Sequence, residues 1–168
     1  MARVYVSLGS NINPEHYIKS GLVDMQRQFG DLILSSIYET KAMGFDGDNF
    51  HNLVAGFDSD LKIYAIAQIL HDIEDNNDRQ RTDNRFNNRT LDLDILLYDT
   101  LVLKDDNLEI PRNEILKYAF VLLPLAEIAP TVKHPIIDKT YAELWQNFDK
   151  SKQKLWPCTY SKPCQINS

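Results

Sequence analysis

The amino-acid sequence predicts an α+β protein folded as one domain. Three observations predict it: β-rich runs and helix-period stripes follow one another in the order β-α-β-β-α-β, the chain has 168 residues, and 43% of them are apolar against 25% charged. A chain of that size and composition can bury a substantial core. The domain is expected to span 1–168, with its core at about 3–148 and a polar, loosely held tail at about 149–168.

Residues 3 to 8 are β-rich and end in the turn signal Gly9-Ser10-Asn11. A helix follows, with Asn13 to cap it, Pro14 in its first turn, Ile18, Leu22, Met25 and Phe29 on one face, and Gly30 to close it. Residues 33 to 40 and 52 to 58 read as two strands joined by the segment Lys41 to His51, whose Gly44 and Gly47 suggest a mobile connection. A second helix runs from about Leu61 to Asp75, with Ile66, Ile69, Leu70 and Ile73 at helical spacing. An Asn-rich loop, Arg79 to Arg89, then leads into a strand through Leu91 to Leu97. This order is that of a ferredoxin-like sandwich, in which helices cover a mainly antiparallel sheet. A C-terminal extension comes next: Ile110-Pro111 opens a loop, Ala119 to Ala129 forms an apolar helix broken by Pro124, and Thr140 to Phe148 forms a short helix.

The chemistry concentrates in Arg89-Thr90-Leu91-Asp92-Leu93-Asp94-Ile95. On an extended backbone Leu91, Leu93 and Ile95 share one face, and Asp92 and Asp94 project together from the other. Two carboxylates roughly 6.5–7 Å apart at Cα repel one another unless cations lie between them, and hard oxygen ligands suit Mg²⁺. Just upstream, Arg79, Arg81, Arg85 and Arg89 stand against the single acid Asp83 in a chain of net charge −6. The guanidinium fork matches phosphate oxygens. Metal-binding carboxylates beside phosphate-binding arginines are the two halves of a Mg-nucleotide site.

The same composition excludes other classes. The acidic balance argues against a nucleic-acid partner, because phosphate backbones are bound by neutralising them. No apolar run approaches the ~20 residues that cross a bilayer, and no leader pattern precedes Arg3. A cytoplasmic monomer without a membrane partner is therefore expected. Cys158 and Cys164, with five residues between them and without a His-rich partner segment, indicate neither a zinc site nor a disulfide framework.

From Val4 to Pro130 the chain resembles the 6-hydroxymethyl-7,8-dihydropterin pyrophosphokinases of folate biosynthesis. The resemblance rests on Tyr5-Val6-Ser7-Leu8-Gly9-Ser10-Asn11-Ile12, on the Arg89 to Ile95 segment, and on Pro124-Leu125-Ala126-Glu127-Ile128-Ala129-Pro130. It implies a ferredoxin-like core inside a three-layer sandwich, and an enzyme that transfers pyrophosphate from ATP to a reduced pterin and releases AMP. It also implies that Asp92 and Asp94 bind two Mg²⁺ ions and that Arg79 and Arg89 contact the triphosphate. Arg81 and Arg85 are further candidates from the same loop, and Glu74 matches an acid beside the nucleotide. On the pterin side, Phe50 and Phe120 match the two ring-sandwiching positions, Asn52 the reader of the pterin edge, and Thr40 the start of a closing loop.

The chain departs from the family pattern at several of these places. After Ile110-Pro111 the family usually has His, an aromatic residue and, six positions after the His, Arg; here Arg112, Asn113 and Tyr118 stand instead. His71 replaces a common Gln, Phe86 a common Trp, and Lys41 a usual Pro. Arg112, Tyr118 and His71 are nonetheless assigned to the ATP side by position. A second reading follows from these departures: a pterin- or nucleotide-binding relative with weak or no turnover.

Overall fold

The structure is a computed structural model that describes residues 1–42, 47–80, 88–151, 153–158 and 160. Strand β1 (Ala2–Ser10) alternates so that Val4, Val6 and Leu8 are buried on one face, while Tyr5, Ser7 and Gly9 belong to the other. Helix α1 (Pro14–Phe29), strands β2 (Ile33–Leu34), β3 (Tyr38–Thr40) and β4 (Phe50–Ser59), helix α2 (Ile63–Asn76) and strand β5 (Asp92–Tyr98) follow. Among the described residues the strand pairings are antiparallel, and the sheet runs β5-β1-β4-β3, with β2 also on β4. This is the ferredoxin-like order expected from the sequence.

The extension contributes the small hairpin of β6 (Leu103–Lys104) and β7 (Glu109–Ile110), a 3₁₀ turn (Asn113–Leu116), α3 (Ala119–Ile128), α4 (Tyr141–Gln146) and β8 (Trp156–Pro157). Leu53, Ala55, Phe57, Leu93 and Ile95 join Val4, Val6 and Leu8 in a core packed against Ile18, Leu22 and Met25 of α1 and Ile66, Leu70 and Ile73 of α2. Full burial of each such side chain stabilises by about 1.5–3 kcal/mol. On the opposite face Tyr5, Val54 and Leu97 pack against Val121, Leu122 and Leu125 of α3 and Tyr141 of α4. The sheet is therefore the middle of three layers. Among the described residues no helix is long and apolar enough to cross a membrane.

Several local expectations are corrected. The strand at 33–40 is two strands, because the Ser35 hydroxyl accepts from Val54 N (2.9 Å) and Ser36 turns its N–H and hydroxyl to Glu127 (2.9 Å each). Asn13 sits at the N-cap in the left-handed region (φ 44°), without a side-chain capping bond. The second helix starts at Ile63, since Leu61 N is taken by the Ser59 hydroxyl. Helix α3 continues through Pro124: its buried Val121, Leu122 and Leu125 outweigh the hydrogen bond that proline removes.

The tail is not loose where it is described. Strand β8 pairs with β3, Cys158 N donates to Ile37 O (3.0 Å), and Cys158 lies in the α1/α2 core. Tyr160 reaches His51 Nδ1 (2.5 Å), whose Nε2 lies 3.2 Å from Glu39. With Nε2–H donating to Glu39 and Nδ1 accepting from the Tyr160 hydroxyl, both ring nitrogens are used, and the Glu39-His51-Cys158 group is complete as a hydrogen-bonded anchor. Burial pushes the Cys158 thiol up to about 11, so it stays protonated.

Burial also holds His51 below its ordinary 6.5, against the pull of Glu39 and Glu15. The unfolded chain then binds the proton more readily. Stability is full above about pH 6.5 and falls as the pH drops below it. His134, lowered by burial, adds a slope of the same sign. Thermal melts at stepped pH should therefore show a shallower acid-side loss in His51→Gln than in the parent; an identical slope would contradict the anchor.

Candidate active site

Strand β5 presents Leu93 and Ile95 to the α1/α2 core, which leaves Asp92 and Asp94 on the α3 side of the sheet. Their neighbours on β1 are small: Asp92 pairs with Gly9 and Asp94 with Ser7. Gly9 also pairs with Asn52 of β4, which pairs with Tyr38 of β3. Asp92, Gly9 and Asn52 thus form one row across three strands, with the acid and the amide two strand spacings, or roughly 10 Å, apart.

The expected repulsion between the two acids is answered by arginines. Arg89 Nη1 lies 2.6 Å from Asp92 Oδ2, and Arg79 Nη2 lies 3.9 Å from Asp92 Oδ1. Arg112 Nη2 is 3.5 Å from Asp94 and 2.9 Å from Glu114. Burial pushes the Asp94 carboxyl well above the usual range, reinforced by Asp92 and opposed by Arg112. For Arg112, burial alone would lower the pKa, but Asp94 and Glu114 outweigh it and raise it. Asp94 is therefore the acid whose charged form is least supported by the protein, and a cation beside it would favour that form.

The same arginines also offer donors. Arg79 Nε and Nη1 and Arg112 Nε are buried with no hydrogen-bond partner among the described residues. Such groups are costly unless something fills them, and a bound polyanion would. Arg81, Arg85 and Phe86 lie outside the described residues, as do Met43 to Asp46 of the first connection. His71 lies on α2 with Nε2 3.5 Å from Asp75, one turn further on.

Glu74 has a definite structural task. It is 8% exposed, and its Oε2 accepts from Leu93 N (2.8 Å), the amide between the two acids. It thereby fixes the strand that carries both carboxylates. Glu74→Leu should cost about 1–3 kcal/mol, because a buried amide loses its acceptor. Thermal denaturation would show it, and an unchanged melting temperature would remove this role.

On the other side of the row, Asn52 is buried and its Nδ2 has no partner among the described residues. Phe50 and Thr40 are cross-strand partners on the same face, and Phe120 stands at the start of α3. The Tyr118 and Phe120 rings are stacked, with centroids 5.0 Å apart and planes at 12°. Thr40 and Phe120 line a cleft of about 330 Å³.

Two residues here had been read only as part of a turn or not at all. Asn11, 2% exposed, donates to Asn88 Oδ1 (2.8 Å) and Asp48 O (3.2 Å) and accepts from Arg89 N (2.6 Å). It fastens the end of β1 to both connections that flank the site. Glu114, the partner of Arg112, carries no sequence signal, since its role depends on the 3₁₀ turn that returns it to β5. Asn11 was legible in principle, standing at the end of a distinctive run with a side chain suited to bridging backbones.

Residues 5–130 match the sequence model of a family described as 7,8-dihydro-6-hydroxymethylpterin-pyrophosphokinase. The chain is 36% identical over 141 residues to the 2-amino-4-hydroxy-6-hydroxymethyldihydropteridine pyrophosphokinase of Porphyromonas gingivalis, covering 80% of this chain and 95% of that protein. It is 33% identical over 141 residues to the folic acid synthesis protein FOL1 of Dictyostelium discoideum, 82% of this chain but 21% of that one. In three dimensions it is similar to a Plasmodium falciparum HPPK-DHPS crystal structure, with a TM-score of 0.67, 14% identity and coverage of 87% of this chain and 43% of that one. The chain thus spans a fifth of the Dictyostelium protein and under half of the Plasmodium one, and nearly the whole Porphyromonas protein.

Proposed function

The chain belongs to the 7,8-dihydro-6-hydroxymethylpterin-pyrophosphokinase family, and from that membership we propose that its own site transfers pyrophosphate from ATP to the hydroxymethyl group of a reduced pterin, releasing AMP. The observation that carries the proposal is the row Asp92, Gly9, Asn52. It sets an acid pair and an amide with an unpartnered Nδ2 on one face, with the amide lying over the glycine between them.

Asp92 and Asp94 fit Mg²⁺: both are carboxylates on one strand face, and Asp94, disfavoured as an anion by burial and by Asp92, would be stabilised in its charged form by a cation. When bound, two such ions neutralise phosphate charge and acidify the attacking hydroxyl. The remaining work falls to the protein. Arg79 and Arg89 flank Asp92, and the unpartnered Nε and Nη1 of Arg79 can take triphosphate oxygens, with Arg89 joining as it turns from the acid. Arg112, held between Asp94 and Glu114, supplies a permanent charge on the leaving side. Asn52 offers its amide to the pterin edge, Phe50 and Phe120 give it faces, and Thr40 borders it. Glu74 holds the acid-bearing strand in place, and His71 borders the nucleotide. We place Tyr118 on the pterin side, as the ring backing Phe120, instead of the nucleotide side that its family position implied.

A binding relative without turnover is the second reading, favoured by Arg112 pairing with Asp94. Calorimetry separates the two. ATP binding that requires Mg²⁺ supports the enzyme, and pterin binding without any metal-dependent ATP binding supports the second.

A further inference from the structure

We propose that the segment carrying Ser151, Gln153, Lys154 and Trp156 is the outer wall of the pterin cleft, held there by Gln153 as a positioning residue. The cleft of about 330 Å³ is lined on one side by Thr40 and Phe120, both assigned to the pterin, and on the other by these four residues. Chain 30 or more residues distant in sequence therefore completes a pocket whose other half is the sheet and α3.

Two separate attachments hold this wall. Strand β8 extends the sheet beyond β3, pairing Trp156 with Glu39 and Pro157 with Tyr38, next to Thr40. Gln153 spans the start of α3: its Nε2 donates to Lys117 O (2.7 Å) and its Oε1 accepts from Ala119 N (2.8 Å). Those two groups bracket Tyr118, whose ring stacks on Phe120. One amide side chain thus fixes both the wall and the backing of the ring-stacking residue Phe120. Lys154 is exposed, so the wall offers a cation at the mouth of a cleft suited to a flat, polar heterocycle, while Trp156, paired with Glu39, contributes backbone. An ATP contact is not expected of these residues, since Arg79, Arg89 and the acid pair lie on the β5 side of the sheet, across β1 and β4 from β3.

The inference rests on the pterin reading of the cleft, and the test separates the two. Calorimetric titration of the full chain with 6-hydroxymethylpterin, and separately with Mg-ATP, is run on the parent, Gln153→Ala, Lys154→Ala and Lys154→Arg. Losing the two Gln153 bonds should weaken pterin binding about tenfold and leave the ATP constant unchanged. Lys154→Ala, at an exposed position that the fold tolerates, should weaken the pterin in the same selective way, and Lys154→Arg should restore it. Parent-like pterin binding in both alanine variants overturns the wall, as does a matched loss of pterin and ATP with a lower melting temperature. Failure of the parent chain to bind any pterin overturns the underlying reading instead.

Discussion

An Asp94→Asn variant is expected to lose roughly 10³-fold in AMP formation while melting no lower than the parent. Asp94 is held among Asp92, Glu74 and Glu114, and its burial disfavours the charged form that cations require. Asn keeps the volume and removes the like-charge repulsion, so the fold gains or holds stability as the function goes. Arg112 keeps Glu114 at 2.9 Å and is not stranded by the change. Parallel thermal melts and assays of AMP release check both halves. Full activity in the variant would sink the role of the acid pair, and unfolding would sink the separation of stability from function.

Gly9→Ala should produce the second large effect from a single methyl group. A Cβ at Gly9 would lie 2.8 Å from Asn52 Oδ1, a distance that real side chains do not accept. Asn52 is buried, and the strand pairing on both sides of Gly9 resists movement, so the amide must turn away. Misplacing a recognition group by about 1 Å can cost roughly 10²-fold, and pterin binding should fall by that order. ATP binding, carried by arginines on the far side of Asp92, should change little. Titration with each ligand decides it: parent-like pterin affinity would show that Asn52 does not read the ring.

The two halves of the site were unequally legible. The alternation through Leu91, Asp92, Leu93 and Asp94 is a local property of an extended chain, so the acid pair could be read from four residues and the structure keeps it on one face. The order of elements was legible for the same reason, because α1 and α2 carry their own apolar stripes. The Asp92-Gly9-Asn52 row was not, because register is set by strands far apart in sequence. Glu74 is another case: helical spacing gives its position on α2, but only packing shows that it reaches Leu93 N. The pairing of β8 with β3 and the burial of Cys158 were not legible, because the polar composition around them hides both.

The most direct measurement is incubation of the purified full chain with ATP and 6-hydroxymethyl-7,8-dihydropterin, with and without Mg²⁺, with AMP and the pterin diphosphate quantified together. The two products should appear in equal amounts, only when all three components are present, and should vanish in Asp94→Asn. No AMP from the folded parent chain, or AMP formed equally well without the metal, would contradict the assignment of Asp92 and Asp94 as the centre of the reaction.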